Sequence, residues 1–174
     1  MSVKAGIDQQ LQQLTRLADA GYFVGLHIRF AAPLMLFQTY RQDWSDHYTD
    51  NGYALRDPMI AWGFSTTGVT RWSEMPVPDT FGILKEAASF GLVYGVCVSC
   101  GAISSRTIAG TARSDREFTD DELARLGLDL SAPGRELREL DERVGLTLDV
   151  THGAGVEVAI DAGHGGGGVG RRLP

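Results

Sequence analysis

The chain has 174 residues, of which 43% are hydrophobic and 22% charged, and its formal net charge is −6. This mixture is typical of one globular domain with at most a short appendage, and it excludes wholesale disorder, a collagen-like repeat and a coiled coil. The acidic balance argues against a general nucleic-acid coat protein, because phosphate binding needs clustered Lys and Arg.

No segment of the sequence is typical of a membrane or export signal. The first ten residues lack the apolar stretch of a signal peptide, and the longest apolar stretches, such as residues 31–37, are too short to span a bilayer. Two cysteines close together cannot build a framework of disulfides. We therefore expect a cytoplasmic protein with no membrane partner.

The first third of the chain predicts a helix followed by a β-hairpin. Leucines spaced three residues apart among polar side chains predict a helix over residues 8–20, which Gly21 ends. Two segments rich in Val, Ile, Leu and Phe, residues 22–30 and 33–37, predict a pair of strands.

The middle third predicts three more helices. Residues 41–51 carry large aromatic side chains four positions apart. Asp57 followed by Pro58 is typical of a helix start, because Asp caps free N–H groups and Pro fits the first helical position. Residues 69–75 predict a loop or short strand, and residues 80–90 predict the third helix. The predicted apolar side of this helix is formed by Phe81, Leu84, Ala87 and Ala88.

Two strands and a helix are predicted next. Residues 92–100 and 104–112 are β-rich and are separated by a Gly-Ala turn, and Thr119-Asp120-Asp121-Glu122 is a capping box that begins a helix. Strands are grouped along the chain rather than alternating with helices. The predicted fold class is therefore α+β, with a central antiparallel sheet flanked by helices.

The composition changes in the C-terminal part. Residues 135–144 predict a helix, whereas glycine dominates from Thr151 onward, which favours an irregular tail. We place one domain at residues 1–130, extending at most to about residue 148, and the Gly-rich tail at residues 149–174.

Motifs for metal, redox or nucleophilic chemistry are weak. Cys97 and Cys100 have the C-x-x-C spacing, but residues three apart in a strand face opposite sides, so buried apolar cysteines are the favoured interpretation. His152 and His164 among glycines are poor metal candidates. No phosphate loop, nucleophile elbow or zinc-protease motif is present. We predict no catalytic residue, no metal ion and no cofactor.

The most specific pattern lies between Tyr40 and Trp72. Tyr40, Trp44 and Tyr48 stand four residues apart and are expected on one helical face, and Asp57 adds a carboxylate. Aromatic rings with hydrogen-bonding tips beside a carboxylate suit a pocket for a small amphiphilic ligand. The same residues also suit a plain core with Asp57 as a helix cap, and spacing alone favours neither interpretation.

These spacings resemble the autoinducer-binding domain of LuxR-type quorum-sensing regulators, which bind N-acyl homoserine lactones. Further motifs extend the resemblance, in the same order, over roughly residues 8–130. They are Asn51-Gly52-Tyr53, Arg71-Trp72-Ser73, and residues 86–95 and 114–119. No single motif is sufficient, but together they are specific.

The resemblance implies an α/β/α sandwich that holds the ligand between the sheet and one helical layer. The match to Trp44 donates its indole N–H to the lactone carbonyl, and the match to Asp57 accepts from the ligand's amide N–H. The match to Tyr40 donates to the acyl carbonyl, while Tyr48 and Trp72 are expected to pack against the acyl chain and the lactone ring. A buried carboxylate needs a donor, which the amide supplies.

The resemblance also implies an apolar tunnel for the acyl chain. Its expected lining includes Leu36, Ile83, Ala87 and Leu92. Met59 stands where a hydroxyl residue is common in the family, and a second frequent hydroxyl site matches Thr111 or its neighbour Gly110. These departures leave the acyl substituent open.

We therefore predict a receptor rather than an enzyme. Its ligand is an N-acyl homoserine lactone, and its role is that of the ligand domain of a LuxR-type transcriptional regulator, as a homodimer or as a heterodimer with a full-length regulator. Such regulators normally continue into a helix-turn-helix that reads DNA. No such pair is recognisable after Val144, so we expect no direct DNA binding and either a DNA-binding-deficient modulator or a truncated regulator.

Two other classes of function stay open. One is a ligand-free protein-interaction module on the same scaffold, in which the protein's own side chains fill the aromatic wall. The other is a small lactone-processing enzyme, including a cysteine-dependent activity at Cys97 or Cys100.

Overall fold

The computed structural model describes residues 12, 14–29 and 33–125. Within them, one five-stranded antiparallel sheet has the order β2-β1-β5-β4-β3. Its strands are β1 (Gly21–Ile28), β2 (Met35–Gln38), β3 (Gly68–Arg71), β4 (Tyr94–Cys100) and β5 (Arg106–Arg113). The predicted hairpin is confirmed as the β1–β2 pair, and the second predicted pair is confirmed as β4–β5.

Helices and short 3-10 turns connect the strands. The helices are α1 (Gln42–Asp50), α2 (Pro58–Ser65), α3 (Ile83–Ser89) and α4 (Asp120–Arg125), and the 3-10 turns are Tyr53–Leu55, Trp72–Glu74 and Ile103–Ser105. Residues 14–17 are also helical, and Gly21 follows with a φ of 99°, which favours glycine. The part of the predicted first helix before residue 12 lies outside the described residues.

Two helix starts follow directly from local sequence chemistry. At α2, the Asp57 carboxylate accepts a hydrogen bond from the Met59 N–H, and Pro58 occupies the first position. At α4, the Thr119 N–H donates to Glu122 Oε2 at 2.9 Å, and the Glu122 N–H donates back to Thr119 Oγ1 at 3.2 Å. Both predicted starts are confirmed, including the reciprocal capping box.

The predicted start of α3 was wrong. The Asp79 carboxylate accepts from the N–H groups of Ile83 (2.8 Å) and Leu84 (2.9 Å), so the helix begins at Ile83 rather than at residue 80. Phe81 therefore precedes the helix and is 59% exposed. The buried side of α3 is formed by Ile83 and Ala87.

Alternation along the strands separates two apolar cores. The first core is formed by Ala18, Tyr22, Val24, Leu26, Val96, Val98, Cys100, Ala109, Phe118 and Leu123. The second core is formed by Ile28, Trp44, Met59, Trp62, Trp72, Ile83, Ala87, Leu92, Cys97, Ile108 and Ala112. Helical residues cover both faces of the sheet, with α1, α2 and α3 on the second core, and this confirms the predicted α/β/α sandwich.

The C-terminal predictions cannot be compared with the structure. The helix over residues 135–144, the domain end between residues 130 and 148, and the Gly-rich tail at 149–174 lie outside the described residues. In the described part of the chain, no helix is both long and apolar enough to cross a bilayer.

Candidate ligand-binding site

Asp57 places a carboxylate inside the second core. Its side chain is buried, with only 1% of the residue exposed. One oxygen accepts from the Met59 N–H at 2.7 Å and the other accepts from the Tyr48 hydroxyl at 2.7 Å. Burial raises the pKa of Asp57, and the hydrogen bonds from Tyr48 and Met59 offset that rise only in part.

The α1 helix and the residue before its cap supply an aromatic wall beside this carboxylate. Trp44 is the buried residue of α1, and its ring lies 5.6 Å from the ring of Tyr48, edge to face. Tyr40 precedes the helix, contrary to the prediction that it shares a helical face, but its ring packs against the same core. The Tyr40 hydroxyl donates to the Gly110 carbonyl at 3.0 Å. The aromatic wall is hereafter Tyr40, Trp44 and Tyr48.

The wall tyrosines are held as neutral hydrogen-bond donors. Burial raises the pKa of Tyr40 and of Tyr48, and the nearby negative charge of Asp57 raises both further. Both O–H protons are already donated, that of Tyr40 to the Gly110 carbonyl and that of Tyr48 to Asp57. A ligand carbonyl therefore gains such a donor only by replacing one of these bonds, whereas the Asp57 carboxylate has lone pairs left for a ligand N–H.

Trp72 reaches the same core from the 3-10 turn after β3. Its ring packs closely against Gly95, where an added Cβ would come within 2.2 Å of the ring. Its indole N–H is buried, and within the described part of the chain it has no hydrogen-bond partner. Such a donor is unfavourable unless an acceptor is supplied, so Trp72 offers a further polar group to a ligand.

Most of the other predicted site residues lie in the second core. These are Met59, Ile83, Ala87 and Leu92. Leu36 lies on the same face of the sheet, because it pairs with Gly25, which in turn pairs with Ile108. It is on an edge strand and is 54% exposed, so the structure does not bring it into the core.

Thr111 lies on the wrong face of the sheet for the predicted role. Its partners in register are Tyr22 and Val96, which both belong to the first core. The neighbouring Gly110 faces the wall instead, and an added Cβ there would come within 3.3 Å of the Tyr40 hydroxyl. We therefore remove Thr111 from the candidate site, because alternation in a strand turns adjacent residues to opposite faces.

Sequence spacing missed a second group of residues around Trp44. The rings of His47, Tyr53 and Phe90 lie within 6.3 Å of the Trp44 ring, and Glu86 contacts both His47 and Tyr53. Tyr53 and Glu86 belong to the motifs that carry the family resemblance, which was the one available signal. Nothing in the spacing predicted their contact, since 33 residues separate them.

The two cysteines are free thiols that point into different cores. Cys97 lies in the second core and Cys100 in the first, as strand alternation predicts. Burial and the nearby charge of Asp57 raise the pKa of Cys97, which disfavours a thiolate nucleophile. Among the described residues, no group of three His, Cys, Asp or Glu side chains is placed to hold a metal ion.

An antiparallel sheet with helices on both faces makes this an α+β domain, and the buried carboxylate beside an aromatic wall is its candidate ligand-binding site. The chain belongs to the autoinducer binding domain family, whose model matches residues 9–134. No curated protein sequence is similar enough to count as a match.

Solved structures support this family at the level of the fold. The N-acylhomoserine lactone-dependent LuxR family transcription factor CepR2 from Burkholderia cenocepacia is 20% identical, with a TM-score of 0.57 over 83% of each chain. Escherichia coli SdiA is 16% identical, with a TM-score of 0.62 over 93% of this chain and 68% of that one. SdiA bound to octanoyl-rac-glycerol is 18% identical, with a TM-score of 0.59 over 83% of this chain and 61% of that one.

Proposed function

We propose that this protein binds an N-acyl homoserine lactone, a quorum-sensing signal, in the second core. The observation that carries the proposal is the buried Asp57 carboxylate between the aromatic wall and the start of α2. A buried acceptor of this kind gains from an N–H donor, and the amide of an acyl homoserine lactone brings one next to two carbonyl groups.

Each polar group of the ligand has a proposed partner. Asp57 accepts from the ligand's amide N–H, and Trp44 donates to the lactone carbonyl. Tyr40 turns its single O–H from the Gly110 carbonyl to the acyl carbonyl. Tyr48 keeps its contact with Asp57 and packs against the acyl chain, while Trp72 packs against the lactone ring. The burial of Asp57 and Trp44 supports their polar roles, because hydrogen bonds away from water discriminate strongly between ligands, and the burial of Trp72 suits packing.

The acyl chain is proposed to lie on the apolar part of the second core. Its proposed contacts are Met59, Ile83, Ala87 and Leu92, with Leu36 at the exposed edge. Met59 offers a thioether where a hydroxyl is common in the family. A plain acyl chain is therefore favoured over one that needs a hydroxyl partner at this position.

Thermal unfolding against a panel of N-acyl homoserine lactones of varied chain length and 3-substitution tests the proposal. A ligand present at 100 times its Kd stabilises the folded state by about 2.7 kcal/mol, so one chain-length class is expected to raise the Tm in a saturable way. Asp57→Asn is expected to abolish the shift while keeping the helix cap, because Asn is also a good cap. Asp50→Asn makes the same change at an exposed residue, and this control variant is expected to keep the lactone-induced rise in Tm.

A second candidate is the ligand-free interaction module. The Tyr48 hydroxyl already donates to Asp57, and the Phe90 ring already packs on Trp44, so the protein's own side chains make some of the contacts that a ligand would make. For this candidate the same experiment gives a folded protein whose Tm no lactone changes, and Asp57→Asn alters only its stability.

The regulatory part of the proposal concerns partners. We propose that the chain forms a homodimer or a heterodimer with a full-length LuxR-type regulator and acts as a modulator of transcription. Co-expression with such a regulator and isolation through a tag on this chain tests the heterodimer. Recovery of this chain alone, with the lactone present, would contradict it.

A further inference from the structure

Four rings surround the Trp44 indole, and they come from three elements. Tyr48 and His47 belong to α1, at ring distances of 5.6 and 6.1 Å, and Tyr53 lies 6.3 Å away in the following 3-10 turn. Phe90 directly follows α3 and lies 5.3 Å away. The position of Trp44 therefore depends on how α1, the 3-10 turn and α3 are held together.

One carboxylate, that of Glu86 on α3, holds two of these rings. Its Oε1 lies 3.0 Å from His47 Nε2, and its Oε2 accepts a hydrogen bond from the Tyr53 hydroxyl. The hydrogen bond from Tyr53 and the contact with His47 lower the pKa of Glu86, so the carboxylate is charged at neutral pH. The two rings also contact each other edge to face, at 5.7 Å.

The helix that carries Glu86 is itself held against the sheet. Ile83 and Ala87, on the same helix, are both buried in the second core, so the backbone of α3 is fixed against the sheet. Because α3 is fixed, the contacts of the Glu86 carboxylate restrict the positions of two rings that lie on other elements. None of its contacts in the described part of the chain is with Asp57 or with the aromatic wall itself.

We propose that Glu86 is a positioning residue for ligand binding: through His47 and Tyr53 it fixes the Trp44 indole in the orientation that meets the signal. This inference rests on the proposed function, since Trp44 is the proposed donor to the lactone carbonyl. Glu86 acts without touching the ligand, because its carboxylate accepts a hydrogen bond from Tyr53 and makes a close electrostatic contact with His47 that lacks hydrogen-bond geometry, away from the proposed ligand contacts.

Lactone affinity of four variants tests the proposal. Glu86→Ala is expected to weaken binding of the best lactone by about tenfold, the scale expected for losing a hydrogen bond to a charged group. Glu86→Gln is expected to rescue most of it, because the amide can contact both rings. Tyr53→Phe keeps the ring and removes the hydroxyl, and it is expected to weaken binding less than Glu86→Ala. Glu74→Ala removes an exposed, ion-paired carboxylate outside this cluster, and it is the control expected to bind normally.

Near-ultraviolet circular dichroism of the ligand-free proteins provides a second readout that does not depend on the lactone. Glu86→Ala is expected to change the aromatic bands, and Glu74→Ala is expected to leave them unchanged. Unchanged bands, or wild-type lactone affinity in Glu86→Ala, would overturn the proposal. If no lactone binds the wild-type protein, the proposed function fails, and the aromatic bands still decide whether Glu86 positions the ring.

If Glu86→Ala does not fold, Tyr53→Phe and His47→Gln take its place in both assays. Each of these variants removes one of the two contacts of Glu86. Weaker binding in both variants supports positioning through the two rings. Normal binding in both variants contradicts it.

Discussion

At the residue scale, Asp57 has two structural roles that compete with its charge. One oxygen caps α2 and the other accepts from Tyr48, yet the carboxylate is almost fully removed from water. Two hydrogen bonds do not replace the hydration of a carboxylate, so its pKa is raised. A ligand N–H would favour the charged form, which couples binding to the ionisation of this one group.

The raised pKa predicts a pH-dependent difference between the wild type and Asp57→Asn. In the folded state Asp57 keeps its proton to a higher pH than in the unfolded chain, where the pKa is near 3.8. Its contribution to stability is therefore complete below that value and is lost as the pH rises through the folded pKa. Asp57→Asn removes this titration. The free energy of unfolding of the variant, relative to the wild type, is expected to increase from about pH 4 upward.

Urea unfolding of both proteins between about pH 4 and pH 7 measures this difference. A difference that stays constant with pH would contradict the prediction. A difference that falls with pH would mean that the folded state favours the charged form of Asp57.

At the element scale, the sequence predicted what is local and failed where a contact spans the fold. The capping box of Thr119 and Glu122 lies within four residues, so its chemistry is visible in the sequence. The start of α3 was placed three residues too early. The Asp79 carboxylate reaches the N–H groups of Ile83 and Leu84 across a loop that ends in the left-handed Gly82, and no short capping motif marks this arrangement in the sequence. The role of Glu86 was invisible, since its partners come from earlier elements.

The capping role of Asp79 predicts a loss of stability on truncation. Asp79→Ala removes the acceptor for the N–H groups of Ile83 and Leu84, and it is expected to lower the free energy of unfolding by about 1 kcal/mol. Asp50→Ala, at the exposed end of α1, is the control and is expected to change it by less than about 0.5 kcal/mol. Equal changes in the two variants, measured by urea unfolding, would show that Asp79 is not the cap.

At the scale of the whole molecule, the sheet divides the protein into two cores, and only one of them carries the candidate site. Register decides which residues belong to which core, and a shift of one residue reverses the assignment. The resemblance could not distinguish Gly110 from Thr111, whereas strand pairing places Thr111 with Tyr22 and Val96. Most of the residues proposed for the site lie in the second core, whereas the face on which Thr111 lies became visible only in the strand pairing.

The position of Thr111 predicts a substitution with no effect on binding. Its hydroxyl is buried and has no hydrogen-bond partner among the described residues, so Thr111→Val is expected to keep or raise stability, by at most about 1 kcal/mol. Lactone affinity is expected to stay at the wild-type value, because the side chain faces the first core. Lost binding with unchanged stability would return Thr111 to the site. Asp57→Asn is the control in the same assay, because it is expected to lose lactone binding.

The division into two cores also gives the protein a built-in optical label. The chain has three tryptophans, Trp44, Trp62 and Trp72, and all of them lie in the second core. Indole emission therefore reports on the face of the sheet that we propose binds the signal. A rearrangement confined to the first core is expected to leave the tryptophan fluorescence unchanged.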